Sequence, residues 1–249
     1  MSFIRYRKWI ISLTYSFKTR LFTSSNLEKN TEVFLNSFQS HKIINVLRLK
    51  NGDSINLFNS KFGEWNGTLT IKKTKVKFTC DHRIKDSTIE YGPILLFSPL
   101  KQIRNDWLIE KATECGVTGL LPTLMDRTIV KKFNKERSIK RIISAAEQTG
   151  RLSLPEVSDI KDFKHQINLC VKDNKVLVFC DELISNPKLI DLANSIDRKK
   201  LVIIIGPEGG FTEEERIYLK NLSNTLECSL GPRIYRAETA AIIALSIFQ

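Results

Sequence analysis

Histidine is scarce in this chain, at three residues, and the five cysteines Cys80, Cys115, Cys170, Cys180 and Cys228 are scattered with no C-x-x-C pair. A structural zinc site needs clustered thiolates and imidazoles, and a disulfide framework needs paired spacings, so neither is indicated and no metal is expected. Most of the cysteines sit in apolar stretches such as Val176 to Cys180, where a thiol packs as a small hydrophobe, and they suggest a reducing compartment. Long hydrophobic runs are missing too. Trp9 to Leu13 falls far short of the roughly 20 apolar residues that cross a bilayer, so no membrane association is expected. Acidic residues are absent before Glu28, although Arg5, Arg7, Lys8, Lys18 and Arg20 are present. That start is an organellar presequence, a basic RNA-contacting arm, or a tail added by an upstream start codon.

What the chain has instead is positive charge. Lys and Arg number 39 against 27 Asp and Glu, a formal charge of +12, so the long-range field attracts polyanions and nucleic acid leads the partner classes. A Lys/Asn/Ile-rich composition that merely solvates the surface is the competing explanation. At 249 residues, the length suits one large domain or a small one plus a medium one, and a two-part chain is favoured.

From Arg20 to about Phe78 the pattern is short and β-like. Leu21-Phe22, Ile43 to Leu49, Ser54 to Phe58 and Gly67 to Ile71 are separated by Asn51-Gly52-Asp53 and Gly63-Glu64, which predicts a compact antiparallel barrel. Lys72, Lys73, Lys75 and Lys77 then interleave with Val76 and Phe78, as a solvated edge strand or as an RNA contact. A polar linker is expected over 81–87, and beyond it the period changes to strand and helix in alternation. Strands are predicted at Pro93 to Phe97, Val117 to Leu121, Val176 to Cys180, Leu201 to Ile205 and Leu226 to Leu230. Helices are predicted where Leu108, Ala112 and Cys115 recur, where Ile139, Ile142, Ile143 and Ala146 share a face, around Pro187 to Ile196, after a capping box at Thr212 to Glu215, and where Ala240, Ile243, Ala244 and Ile247 share a face. Such alternation implies a mainly parallel α/β sheet.

Leu201 to Ile205 reads as a strand buried on both faces and runs straight into Gly206-Pro207-Glu208-Gly209-Gly210-Phe211. Ligands in parallel sheets sit beyond the carboxyl ends of strands, where glycine lets backbone approach them. The loop matches neither G-x-G-x-x-G nor a P-loop. Pro207 removes a donor and Glu208 adds negative charge, so the loop suits a neutral or cationic ligand, and a sulfonium cofactor qualifies.

These residues, with Leu230 to Ala240, Trp107 to Val117, Glu147 to Arg151 and the His41 to Arg48 segment, resemble in order the motifs of the RsmE family, bacterial 16S ribosomal RNA uridine-N3 methyltransferases of the SPOUT superfamily. Tyr235 and Ala237 depart from the leucine and threonine usual there. The resemblance covers the chain from about Arg20 to its end. It implies an α/β fold, a SPOUT-type trefoil-knotted parallel-sheet domain over 82–249 preceded by a small PUA-like β-barrel over 20–81, with 1–19 as a basic extension. General topology gives a knot a very low prior, so only the resemblance supports one. It further implies S-adenosylmethionine as cofactor, 16S ribosomal RNA or the small subunit as partner, a homodimer, and a cytoplasmic location, or an organellar matrix if 1–19 is a presequence. Other readings are a related knotted methyltransferase with another RNA target and a non-catalytic ribosomal RNA-binding assembly factor.

Uridine N3 is a poor nucleophile until its proton leaves, so such a site must stabilise a developing uridinate. Arg236 is the first candidate for that task and Arg233 the second, while Glu238 accepts the proton or holds an arginine. Cofactor contacts are expected from Ile205, Gly206, Glu208, Gly209, Gly210, Leu230, Gly231, Ile234, Tyr235 and Thr239. RNA contacts are expected from Arg48, Lys72, Lys73, Lys75, Arg127 and Arg151.

Overall fold

The computed structural model describes residues 19–249, so the expected basic extension lies, apart from Thr19, outside the described residues. A boundary between two compact units falls between Thr88 and Ile89.

The first unit is a five-stranded sheet of β1 (Arg20–Phe22), β2 (Glu32–Phe34), β3 (Ser54–Asn59), β4 (Gly63–Lys72) and β5 (Lys75–Lys85), in the order β1-β3-β4-β5-β2. β1 pairs parallel with β3, and the other pairings are antiparallel. Leu21, Ile55, Leu57, Leu69, Val76 and Phe78 close a core of their own. Ile43 to Leu49 is not a strand. A helix, α1 (Ser37–His41), runs on as a π-helical turn through Val46. Asn36 and Gln39 form a reciprocal capping box that starts the helix, and the turn buries Ile43 while leaving Val46 and Leu47 exposed. The 81–87 stretch is not a linker throughout either, because β5 continues to Lys85 with Arg83 opposite Trp65 and His82 opposite Asn66. Strand pairing is made by backbone groups, so charged side chains facing solvent do not end it. Lys72 and Lys75 flank the β4–β5 turn, where Lys73 adopts φ +57°; these strands lie inside the sheet order and are not an edge.

In the second unit β6 (Ile94–Phe97), α2 (Gln102–Glu114), β7 (Gly119–Leu124), α3 (Lys135–Thr149), β8 (Glu156–Val157), β9 (Lys161–Asp162), α4 (Phe163–Lys172), β10 (Val176–Cys180), α5 (Leu189–Leu192), β11 (Leu201–Ile205), α6 (Glu213–Lys220), β12 (Thr225–Cys228) and α7 (Ala237–Ser246) follow in turn. The strand order is β12-β10-β11-β6-β7-β8, every pairing is parallel, and β9 joins β7. The period of two explains why β11 is wholly apolar. Leu201, Ile203 and Ile205 enter one core with Leu108, Ile142 and Ala244 of α2, α3 and α7, while Val202 and Ile204 enter another with Ile167 and Leu219 of α4 and α6.

Two helices present faces rotated from those expected. α3 buries Ser138, Ile142, Ala145 and Ala146 and leaves Ile139 exposed, and α7 buries Ala241, Ala244 and Leu245, with Ile243 only half-buried. Apolar residues surround much of α7, so its sequence marks no single face, and packing on α2 and β11 selects one.

Candidate active site

Because β10, β11 and β12 are parallel, Cys180, Ile205 and Cys228 end on the same sheet edge, and the loops that follow them enclose a cavity of about 420 Å³. Gly206 to Gly210 form one wall and Ser229 to Gly231 with Arg233 to Ala237 form another. Of the expected cofactor contacts, Ile205, Gly206, Glu208, Gly209, Gly210, Leu230, Gly231, Ile234 and Tyr235 line this cavity. Thr239 lies beyond it, half-buried on α7.

Two glycines shape the walls. Gly210 has φ +70°, donates its N–H to Pro207 O at 2.9 Å, and a Cβ there would lie 2.3 Å from Glu182 Oε1. The left-handed conformation disfavours any side chain there, and one would also displace the Glu182 carboxylate. Gly231 has φ +121°, its N–H meets Ser229 Oγ at 3.1 Å, and a Cβ there would find no atom within 4 Å. It leaves room that a ligand can occupy.

At the β10 and β11 ends carboxylates are matched by arginines, and further arginines stand exposed at the mouth. Buried Asp181 is bound by Arg216, which also donates to Phe211 O at 2.7 Å and approaches Glu182 at 3.3 Å. The hydrogen bond to Asp181 raises the Arg216 pKa further above its ordinary value, so this guanidinium stays charged. Glu208 is paired with Arg104 at 2.8 Å, and Arg104 Nη1 stands 3.9 Å from Glu238 Oε2, a buried oxygen with no hydrogen-bond partner. Arg127 Nη1 donates to Gly209 O at 2.8 Å and so braces the glycine loop. Arg233 and Arg236 line the cavity and are exposed, and neither forms an ion pair among the described residues. Cys180 lines the cavity, and its sulfur lies 3.7 Å from that of buried Cys228. The hydrogen bond with Cys228 and burial push the Cys180 thiol well up, which keeps it protonated and unsuited to nucleophilic attack.

The other expected RNA contacts lie elsewhere. Arg48 is exposed at φ +54° after the π turn, and Lys72, Lys73 and Lys75 are exposed around the β4–β5 hairpin. Arg151 is not a surface residue. It is 7 % exposed, pairs with Glu90 at 2.9 Å and donates to Thr113 O and Ser153 O at 2.9 and 2.8 Å, tying the end of α2 to the segment after α3. A guanidinium after a helix-ending glycine reads from sequence as a surface charge, but the carbonyls left at a helix end need donors.

Arg104, Asp181, Glu182 and Arg216 escaped the sequence reading. Asp181 and Glu182 follow β10 directly, so extending the rule about strand carboxyl ends to that strand would have found them. Arg104 and Arg216 carry no such local mark, since their partners are far away in the chain. Among the described residues no group of three or more His, Cys, Asp or Glu is placed to hold a metal, and no helix is long and apolar enough to cross a membrane.

With this geometry in hand, comparisons with known proteins are specific. A family model described as an RNA methyltransferase domain matches residues 91–249, and one described as an RNA methyltransferase PUA domain matches residues 39–79. Ribosomal RNA small subunit methyltransferase E of Rickettsia conorii is 30% identical over 230 residues, covering 91% of this chain and 93% of the relative. The protein of that name from Bacillus subtilis is 29% identical, covering 90% and 92%. The crystal structure of ribosomal RNA small subunit methyltransferase E from Neisseria gonorrhoeae bound to S-adenosyl methionine superposes with a TM-score of 0.80 at 28% identity, covering 92% of this chain and 95% of that one.

Proposed function

The chain belongs to the RsmE family of small-subunit ribosomal RNA methyltransferases, with a SPOUT-type parallel-sheet domain after a PUA-like unit, and from that premise we propose that it methylates N3 of one uridine in 16S ribosomal RNA, using S-adenosylmethionine. The nucleotide is m3U1498 in the family's usual numbering. The observation that carries this reading is the cavity where two glycine-shaped loops meet beyond three parallel strands, with two exposed arginines at its mouth that form no ion pair among the described residues.

The residues present fit the cofactor. Gly231 borders space that a Cβ would begin to fill, Ile205, Leu230, Ile234 and Tyr235 offer apolar surface to an adenosine, and the carboxylates of Asp181, Glu182 and Glu208, held by Arg216 and Arg104, line the cavity as acceptors. Backbone around Gly206, Gly210, Leu230 and Gly231 would hold it. When bound, S-adenosylmethionine supplies a methyl group on a sulfonium whose carbon–sulfur bond breaks as the nitrogen–carbon bond forms.

This chain's own residues then make N3 reactive. Arg236 faces the uracil oxygens and stabilises the negative charge that appears as the N3 proton leaves; Arg233 assists from the same loop. Glu238, buried beside Arg104, accepts that proton at its unpartnered Oε2 or holds an arginine in position. Arg104 joins the first loop to the start of α7 through Glu208 and Glu238, which fixes the distance across the cavity. Arg48, Lys72, Lys73, Lys75 and Arg127 supply phosphate contacts, the protein acts as a homodimer, and it works in the cytoplasm where small subunits are built.

The test incubates the purified chain and S-adenosylmethionine with naked 16S RNA and with small subunits that lack the modification, then maps methylated nucleotides by mass spectrometry. One N3-methyluridine is expected. Methyl on a ribose 2′-oxygen or in another RNA would select a related methyltransferase instead, and no transfer together with no cofactor binding would leave an RNA-binding assembly factor.

A further inference from the structure

We propose that Glu182 determines cofactor specificity by accepting hydrogen bonds from the vicinal ribose hydroxyls of S-adenosylmethionine, a role that rests on that molecule being the cofactor. Glu182 lines the cavity from the segment that leaves β10, and its side chain is 33% exposed. Its backbone is fixed on both sides. Asp181 N donates to Cys228 O at 3.0 Å, and Leu183 N donates to Asp181 Oδ1 at 3.0 Å, so the chain turns at the sheet edge with Glu182 between two pinned residues.

The carboxylate is held in place but not used up. Glu182 Oε1 accepts from Arg216 Nη2 at 3.3 Å and rests against the backbone of Gly210, where any Cβ would displace it. Oε2 makes no hydrogen bond among the described residues, although a carboxylate offers about four acceptor positions over its two oxygens. Arg216 has little more to give, because Nε and Nη2 also bind buried Asp181 and Nη1 donates to Phe211 O. A fixed acceptor with free positions, set in the wall of a cavity, orients a ligand's donor groups there.

Three donor groups of the cofactor could meet this acceptor: the ribose hydroxyls, the adenine amine and the ammonium of the methionine part. The Arg216 guanidinium beside Oε1 offsets the charge of the carboxylate, which favours neutral hydroxyls over an ammonium. Adenine suits the other wall, where Leu230, Ile234 and Tyr235 offer apolar surface. The sugar is then left to the wall of Glu182 and Gly210. Hydroxyls on adjacent carbons match two oxygens of one carboxylate, so this contact reads a diol and rejects a sugar that lacks either member.

The test is calorimetry on the full chain without RNA. Its probes are S-adenosylmethionine, 5′-methylthioadenosine, which keeps adenine and ribose but has neither ammonium nor sulfonium, and the 2′-deoxy and 3′-deoxy forms of 5′-methylthioadenosine. Wild type is expected to bind each deoxy form about 10-fold more weakly than the parent, the lower end for a bond to a charged acceptor because Glu182 is partly exposed. Glu182→Ala is expected to weaken S-adenosylmethionine and 5′-methylthioadenosine alike, by about 10-fold or more, and to bind the deoxy forms as well as their parent. Its thermal midpoint is expected to stay as in wild type, since Arg216 keeps Asp181 and Phe211 O. Glu182→Gln retains the packing against Gly210, so a smaller deoxy penalty there separates lost hydrogen bonds from a loosened loop. A deoxy penalty undiminished in both variants overturns the proposal, as does a loss of affinity confined to S-adenosylmethionine, which would assign the carboxylate to the ammonium or the sulfonium. Failure of the enzymatic reading shows separately, as wild-type protein that discriminates these probes as expected yet transfers no methyl to RNA.

Discussion

Replacing Arg236 with alanine tests the chemistry most directly. Arg236 stands immediately before α7 in an extended conformation (φ −64°, ψ 151°), its side chain makes no capping bond, and it is exposed at the cavity mouth. Removing it leaves no buried group unpaired, so folding and cofactor affinity are expected to stay near wild type. Loss of one donor from a developing negative charge costs about 100-fold or more in the chemical step, about 3 kcal/mol. Arg236→Lys is expected to recover little, because an ammonium does not reproduce a planar fork of donors. Single-turnover methylation with saturating RNA, run beside calorimetric titration of S-adenosylmethionine, reads both quantities. Near-normal chemistry in Arg236→Ala refutes the catalytic role, and loss of cofactor binding moves this arginine into loop structure.

Two further outcomes concern the other arginine and lysine assignments. Lys72, Lys73 and Lys75 replaced together by glutamine are expected to weaken RNA binding and flatten its salt slope by about 2, measured by anisotropy over a salt series; an unchanged slope makes the hairpin a solvated turn. Arg151→Ala is expected to lower stability by about 2 kcal/mol, since it strips Glu90 of its ion pair and removes the side-chain hydrogen bonds to Thr113 O and Ser153 O, while RNA affinity in the folded protein stays put. Denaturant unfolding measured together with RNA binding checks both halves, and intact stability with weakened RNA binding would restore the RNA contact expected of this residue.

Local pattern carried much of this protein. The unbroken apolar run of Leu201 to Ile205 defines a strand covered on both faces, Thr212 to Glu215 opens α6 as a reciprocal cap, and Gly206 to Gly210 mark a loop at a strand's carboxyl end. These features depend on neighbours a few residues apart, where steric and hydrogen-bond rules act without tertiary help. Pattern misled where two local structures compete: Ile43 to Leu49 has apolar residues that fit a strand, but the Asn36–Gln39 cap and the burial of Ile43 favour a helix.

What only the tertiary structure decided are the partnerships between distant residues. Arg104 with Glu208, Arg216 with Asp181 and Arg151 with Glu90 join residues 104, 35 and 61 positions apart, as the difference of their numbers gives. Charge separates strongly in water and is screened, so a guanidinium in a sequence carries no mark of its mate; burial and the fixed strand order select it. The sequence by itself therefore determined which loops form the cavity, because glycine and strand patterns are local. The fold alone determined which arginines are consumed in holding that cavity and which, Arg233 and Arg236, remain at its mouth, because that depends on where the chain brings each carboxylate.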